Sequence, residues 1–548
     1  MPPVNYSKLT PPYKINIQGD LLKRLHINFD RLERPDYTPQ QVIASNVADE
    51  WPGDTPGRTM LAWAHLAVAT EQEPRYLNEL YNRLPQHLNE LGYMGPVFDT
   101  LDEQQLSGHG WLTAGLLAYY NYTGEATALD HAQRIVDNLF LKLRGKMASY
   151  PCNPEQRSLE GLPAGARART INGWTLSTDI GCAFISLEGL VKAHRVFRRE
   201  SEKDLIEEMF ESFKHIDLMA ISAQLHASLT ATRQFLMYHD LSPEPEILEH
   251  AQKVYGLFRQ HAITENYANY NWFNRPGWTE PCAVVDAFML AYELWRKTGE
   301  VAFLDDAHHI YFNALGYGQK PHGGFGCDNC VGADSPFLFN QVYDVTWCCN
   351  MRGAIGLAQA AQCAYGQSQD NIIVPFYFDS TAEFNFGDEH LTLEQVTEYP
   401  YEGDTKFTVK RSTLTSPKNL HFYLPSWVEP QTVRIYVDGK NTVFYIRNGF
   451  AVLEDCSLFP GIHIELNYPI YLRQEPIINS KHLPRHSTYR RGPLILGRTL
   501  QPGETSDSLL MLAHDPQQLA LVPLNNVIDL PTKSAQFERR QILFDLGE

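Results

Sequence analysis

The 548-residue chain lacks any apolar run approaching the roughly 18 residues that a membrane-crossing helix requires. It also lacks a basic start followed by an apolar stretch. Its first residues read MPPVNYSKLTPPYKINIQGD, so no secretory signal is expected and a cytoplasmic location is. Cationic side chains are in deficit: 46 Lys plus Arg stand against 64 Asp plus Glu, a net charge of -18. Such a balance repels phosphate backbones and anionic lipid, which argues against nucleic acid or a membrane as partner. An even set of cysteines is missing too. There are nine, including the adjacent pair Cys348-Cys349 and a C-x-x-C at Cys327 and Cys330. In a large unexported chain these point to reduced thiols used for metal or catalysis, not to a disulfide framework.

What is present favours neutral substrates. The chain carries 28 Tyr, 27 Phe and 9 Trp, enough to offer stacking platforms to sugar rings, although most aromatic residues serve a core. Its length is too great for one ordinary core, so two or three domains are expected.

An internal repeat organises the first part. The segment LTAGLLAYYNYTGEATALDHAQRIVDNLFL beginning at residue 112 has a counterpart at 288–317. Each runs from an apolar helix through Thr-Gly-Glu and three further residues to Leu-Asp-x-Ala and a second periodic helix. Thr123-Gly124-Glu125 and Thr298-Gly299-Glu300 fit a helix stop and restart, with glycine allowing the turn and the acid at the next N-terminus. Weaker copies lie near 58–91, 180–217 and 221–261, and a lone first helix follows at 350–366. The amphipathic stretch 20–33 supplies the missing partner. Six such hairpins closed in a ring make an (α/α)6 toroid; an open helical solenoid is the alternative.

After about residue 370 the period changes from 3.6 to 2. Eight short strands from NIIVPFYF to HIELNYPIYL, with turn signals at Asp438-Gly439 and Asn448-Gly449, predict an antiparallel β-sandwich. The expected fold is mainly α plus β. The expected divisions are an N-terminal strand or extension at 1–19, a catalytic toroid at 20–370, a sandwich at 371–475 and a C-terminal β or irregular extension, without an assigned fold, at 476–548.

Two groups carry chemistry. Thr279-Glu280-Pro281-Cys282 opens the fifth inner helix and Trp347-Cys348-Cys349-Asn350 the sixth. Equivalent ends of inner helices face one mouth of a ring, so these groups are expected to meet. One carboxylate and three thiolates complete a tetrahedral zinc site. Two alternatives stay open: buried core cysteines, or a structural zinc bound by Cys327, Cys330, Cys348 and Cys349. His109 and His226, on the second and fourth inner helices, are candidates to face sugar hydroxyls. Glu265, in a loop of Asn, Tyr and Trp, is a candidate proton donor, since a carboxyl amid aromatics has a raised pKa.

With these residues laid out, the chain resembles glycoside hydrolase family 127, the β-L-arabinofuranosidase family, from about residue 14 to 500. The resemblance rests on Ser107-Gly108-His109, His226, Glu280-x-Cys282 and Cys348-Cys349 with the Asn- and Arg-containing helix after them. Glu398-Tyr399-Pro400, Leu424-Pro425-Ser426-Trp427 and Arg491-Gly492-Pro493-Leu494 agree in order. It implies a retaining glycosidase in which Glu280, Cys282, Cys348 and Cys349 bind Zn2+, Cys348 is the nucleophile and Glu265 the general acid/base. Departures are Thr178-Asp179-Ile180, where the family has a histidine, and the additional Cys327 and Cys330. The implied partner is an oligosaccharide or other glycoside; a homodimer is compatible with the sequence, which does not fix the assembly. Other readings of the toroid are an unsaturated-uronide hydrolase, a sugar epimerase, or a non-catalytic carbohydrate-binding protein with structural zinc.

Overall fold

The computed structural model describes residues 6–545, apart from 46–49, 158–160, 334, 479–485, 501–503 and 505–518. The Thr-Gly-Glu repeat sets the local geometry of the helical part. Gly124 and Gly299 end their helices at φ 77° and 74°, left-handed conformations that suit a residue without Cβ. In both copies the backbone N–H of the glutamate donates to the threonine hydroxyl, at 3.2 Å for Glu125 and 3.1 Å for Glu300. The same bonded turn thus reverses the chain twice.

The helices run α1 (Gly19–Leu32), α2 (Asp54–Thr70), α3 (Leu77–Arg83), α4 (Glu103–Thr123), α5 (Thr127–Asn138) and α6 (Leu187–Phe197). They continue as α7 (Glu200–Lys214), α8 (Leu225–His239), α9 (Pro245–His261), α10 (Pro281–Thr298), α11 (Val301–His309) and α12 (Cys349–Gln362). The even-numbered helices are buried on nearly every face. Each touches the next, and α12 touches α2, so they close a ring. Close approach needs small residues: a Cβ on Gly57 of α2 would lie 2.2 Å from the Leu112 nitrogen of α4. The odd-numbered helices stand outside and are amphipathic. α5, for example, buries Ala128, Ala132, Ile135 and Val136, a single stripe at helical spacing. α1 takes the sixth outer place against α12 and α2. This is an (α/α)6 toroid.

Short strands lie between the helices: β1 (Lys14–Ile17), β2 (Trp174–Ser177), and the hairpin of β3 (Cys327–Asp328) with β4 (Phe337–Val342) ahead of α12. Beyond α12 follow β5 (Ser380–Phe386), β6 (Glu389–Thr397), β7 (Thr405–Ser412), β8 (Lys418–Tyr423) and β9 (His463–Asn467). One sheet has the order β1–β5–β6–β7–β9 and continues to 434–437; β8 is central in a second sheet. Alternate residues of β5, β6 and β7 are buried, as expected for strands with one face in a core. Phe407 of β7 meets Phe422 of β8 with ring centroids 4.8 Å apart, joining the two sheets. β1 pairs with β5 from Lys14↔Glu383 to Ile17↔Ser380, and so ties the start of the described chain to the sandwich.

A third sheet accounts for residues the sequence left unassigned. HIELNYPIYL is not one strand: β9 stays in the first sheet, while β10 (Leu472–Pro476) begins the third. That sheet runs through 486–491 and 494–499 to β11 (Arg539–Gln541), then to β4 and β3 of the toroid. Toroid and sandwich are joined by Asp305 of α11, which accepts from the Tyr423 hydroxyl and, at 3.1 Å, from the Ser426 N–H. Among the described residues, no helix is long and apolar enough to cross a membrane.

Candidate active site

Glu280 is the N-cap of α10, followed by Pro281 at the first helical position. Cys348 is the N-cap of α12, with φ -147° and ψ -56°, and Cys349 begins that helix. The irregular backbone at Cys348 lets neighbouring side chains converge. The Cys348 and Cys349 sulfurs lie 3.3 Å apart, and Cys282 lies 3.9 Å from Cys349. All three sulfurs lie within 4.8 Å of one another. Cys282 and Cys349 are buried and Cys348 is half-buried.

Cys348 and Cys349 form one wall of a cavity of about 220 Å³ at this mouth of the ring, together with Glu280, Cys327, Arg58 and His226. The indoles of Trp51, Trp278 and Trp347 also line it, as do Ser107, Asp179, Gln224 and Asn271. Burial pushes the Cys282 thiol up to about 12 and Cys349 well up, whereas hydrogen bonds with Cys282 and Cys349 draw Cys348 below the ordinary thiol value. Negative charge in the trio therefore collects on Cys348, at the N-terminus of a helix that stabilises it.

Electrostatic support comes from beneath. Arg58 donates from Nε to Asp54 at 2.6 Å, lies 3.8 Å from the Cys282 sulfur and stacks over Trp111 at 4.1 Å. His226 donates from Nδ1 to Asp286 at 2.7 Å, which leaves Nε2 as the acceptor facing Arg58 at 3.4 Å. Asp286 also accepts from Thr230 at 2.9 Å, from Arg233 at 3.2 Å and from Arg352. Burial alone would raise the Asp286 pKa, but Arg352, His226 and Arg233 hold it well below the usual carboxylate range.

Glu280 lies at the same wall, outside the close group of three. Its Oε2 is buried without a hydrogen-bond partner, and burial, with the neighbouring Cys282 and Asp179, pushes its pKa well up. An orphaned carboxylate oxygen beside three convergent sulfurs suits a cation: the cysteine trio can hold a metal ion, with Glu280 as the further oxygen donor. The C-x-x-C alternative fares differently. Cys327 lines the cavity and hydrogen-bonds Cys349, but Cys330 approaches the Asn269 carbonyl at 3.9 Å and does not join the trio.

Two expected site residues are not brought to the cavity. His109 is fully buried, its Nδ1 donating to the Gln105 carbonyl at 2.7 Å and its Nε2 accepting from the Met94 N–H at 2.9 Å. Residues two apart on a helix lie about 200° around it, so Ser107 faces the cavity and His109 faces away. Glu265 is buried, and its Oε2 accepts from the Ile478 N–H at 2.6 Å; it is absent from the cavity wall. Conversely, Arg58, Asp54, Gln224 and Asn271 are wall residues that the sequence did not single out. Asp54 and Arg58 stand four apart on α2, a spacing common to ordinary surface pairs, and only their burial distinguishes them.

Residues 89–362 match the family described as "Beta-L-arabinofuranosidase, GH127 catalytic domain", and residues 371–470 match its GH127 middle domain. The chain belongs to glycoside hydrolase family 127. It is accordingly a glycoside hydrolase. Solved structures share this GH127 fold at low identity. One is a GH127 β-arabinofuranosidase, 13% identical, covering 90% of this chain and 86% of its own, with a TM-score of 0.71. A second is a glycoside hydrolase, 14% identical, covering 99% and 98%, with a TM-score of 0.71. A third is a GH127 β-L-arabinofuranosidase from Geobacillus stearothermophilus T6, 12% identical, covering 97% and 100%, with a TM-score of 0.70. No curated protein sequence matches the chain.

Proposed function

We propose that this GH127 chain is a retaining β-L-arabinofuranosidase that uses Cys348 as nucleophile beside a zinc site made by Glu280, Cys282, Cys348 and Cys349. The observation that carries this reading is the convergence of three sulfurs within 4.8 Å of one another, two of them, those of Cys348 and Cys349, belonging to residues that line the aromatic-lined cavity. Three thiols and one carboxylate are a donor set suited to zinc. A zinc ion held there keeps its thiol ligands deprotonated at neutral pH. The residues of the chain do the rest. The indoles of Trp51, Trp278 and Trp347 offer apolar faces to a furanose ring and exclude water. His226, its Nδ1 held by Asp286 and its Nε2 facing Arg58, lines the cavity where a sugar would bind. The Cys348 thiolate attacks the anomeric carbon, and water later displaces it, so two inversions restore the starting configuration.

The reaction is tested by early-time NMR of arabinose released from 4-nitrophenyl β-L-arabinofuranoside. The β anomer should appear first; initial release of the α anomer would exclude a thioglycosyl intermediate. For the metal, elemental analysis of protein prepared without chelator should find about one zinc per chain, lost in Cys349→Ser. A metal-free wild type would remove zinc from the proposal. Zinc retained in Cys349→Ser but lost in Cys327→Ser would move the site to the C-x-x-C pair.

A further inference from the structure

One cation meets the sulfur trio. Arg58 reaches inward from near the start of α2, and its guanidinium sends each nitrogen to a different partner. Nε donates to Asp54 at 2.6 Å, Nη1 donates to the Cys282 sulfur at 3.8 Å, and Nη2 lies 3.4 Å from His226 Nε2. A single planar group thus ties together the inner helices α2, α8 and α10. Its plane is fixed as well. The guanidinium stacks over the Trp111 ring at 4.1 Å, and the His226 ring lies almost parallel to the same indole, at 12°. The Arg58 and Asp54 side chains are both 5% exposed, so water cannot stand in for a lost partner. The neighbouring Arg352 and Arg233 serve Asp286 instead. Among the described residues, no other arginine or lysine donates to a sulfur of the trio.

Such an arrangement suits a charged sulfur. A thiol is a weak acceptor, whereas a thiolate takes a charge-assisted hydrogen bond. A buried guanidinium directed at Cys282 therefore fits a sulfur that ligates a metal. The donor set gives a second, independent reason. Three thiolates and the Glu280 carboxylate outweigh a doubly charged cation, so the loaded site holds surplus negative charge in a buried place. A fixed cation at its edge offsets that surplus, and a hydrogen bond to one sulfur fixes the direction in which that ligand points.

We propose that Arg58 is a positioning residue for the metal: an outer donor that holds the Cys282 thiolate in the site and sets how tightly the ion is kept. The inference rests on the zinc reading above. It gives Arg58 no part at the reacting atoms. Arg58 acts through Cys282, from a helix on the far side of α12, and Asp54 acts in turn by holding Arg58 Nε.

The test reads the metal directly, without substrate. Zinc affinity is measured by competition with a chromogenic chelator for wild type and Arg58→Met. The variant should bind zinc ~10–100-fold more weakly. Methionine strands the buried Asp54 carboxylate, so the double variant Asp54→Asn with Arg58→Met is measured beside it. It removes both charges, remains informative if the single variant does not fold, and should show the same loss. Cobalt(II) in place of zinc supplies a signature that altered packing alone would not give. A hydrogen bond to sulfur lowers the energy of its lone pairs, so losing it should move the sulfur-to-cobalt charge-transfer band to longer wavelength. Wild-type affinity and an unmoved band in the folded variants would overturn the inference and leave the zinc site standing. A raised KM for 4-nitrophenyl β-L-arabinofuranoside with zinc affinity unchanged would make Arg58 a sugar contact and overturn it equally. Wild type that takes up neither zinc nor cobalt overturns the zinc reading itself, and this inference with it.

Discussion

Cys348→Ser is expected to lower hydrolysis of 4-nitrophenyl β-L-arabinofuranoside by at least ~10⁴-fold while the protein stays folded, because removal of a nucleophile leaves only binding and electrostatics. Serine is nearly isosteric, so packing at the start of α12 is preserved. The Arg352 N–H that donates to the residue 348 carbonyl at 3.0 Å is a backbone bond and is also kept. What is lost is the thiolate: a hydroxyl in the same place remains protonated near neutrality and attacks poorly. Cys330→Ser provides the control. Its thiol approaches the Asn269 carbonyl and is outside the trio, so wild-type turnover is expected. Initial rates on purified variants decide the matter, and a Cys348→Ser enzyme working at the wild-type rate would place the nucleophile elsewhere.

The second large effect is one of stability. Asp286→Ala should cost about 3–5 kcal/mol in urea unfolding, because deleting one member of a buried ionic cluster leaves its partners uncompensated. Asp286 is fully buried between Arg233, Arg352 and His226, and Arg352 has no exposed surface through which water might replace the lost carboxylate. The pH dependence follows from the sign of its shift. The Asp286 pKa is depressed in the folded state, so the stability it supplies is present above the unfolded carboxylate pKa of about 3.9. The gap between wild type and Asp286→Ala should therefore be constant from neutral pH to about pH 5 and narrow on further acidification. A loss below about 1 kcal/mol at pH 7 would mean that the arginines find other partners or water. Activity should fall in the same variant, since His226 would lose the acceptor that fixes its ring.

The helical ring was readable because its signal is local and repeated. Thr123-Gly124-Glu125 and Thr298-Gly299-Glu300 each dictate a turn within three residues, and the flanking stripes need no distant partner to be recognised. The meeting of Cys282 with Cys348 and Cys349 was readable for a related reason: once a ring is assumed, the N-termini of α10 and α12 must share a mouth. Which way a single side chain faces is not legible in the sequence. Ser107 and His109 are two apart, and nothing in their spacing says which of them turns inward. Glu265 lies a plausible distance before Glu280, yet its carboxyl is taken by Ile478, more than two hundred residues later in the chain. The third sheet was hidden most completely. β11 is three residues long and pairs with a strand lying between helices of the toroid, so no window of sequence contains both partners.

That pairing carries a consequence for synthesis on the ribosome. β3 bears Cys327 of the cavity wall, and it is fastened to the Glu280 segment through Thr279, whose N–H and hydroxyl both bond Asp328, at 2.7 and 2.9 Å. β3 hangs from β4, and β4 is held on its other edge by Arg539–Gln541. All the inner helices are made once residue 362 has been added, but the strand that fixes this wall arrives only at residues 539–541. At 5–20 residues per second, that interval is roughly ten to forty seconds. A nascent chain in that interval has its thiols in place beside an unfastened wall, so competence to bind sugar is deferred until residues 539–541 have been made and paired.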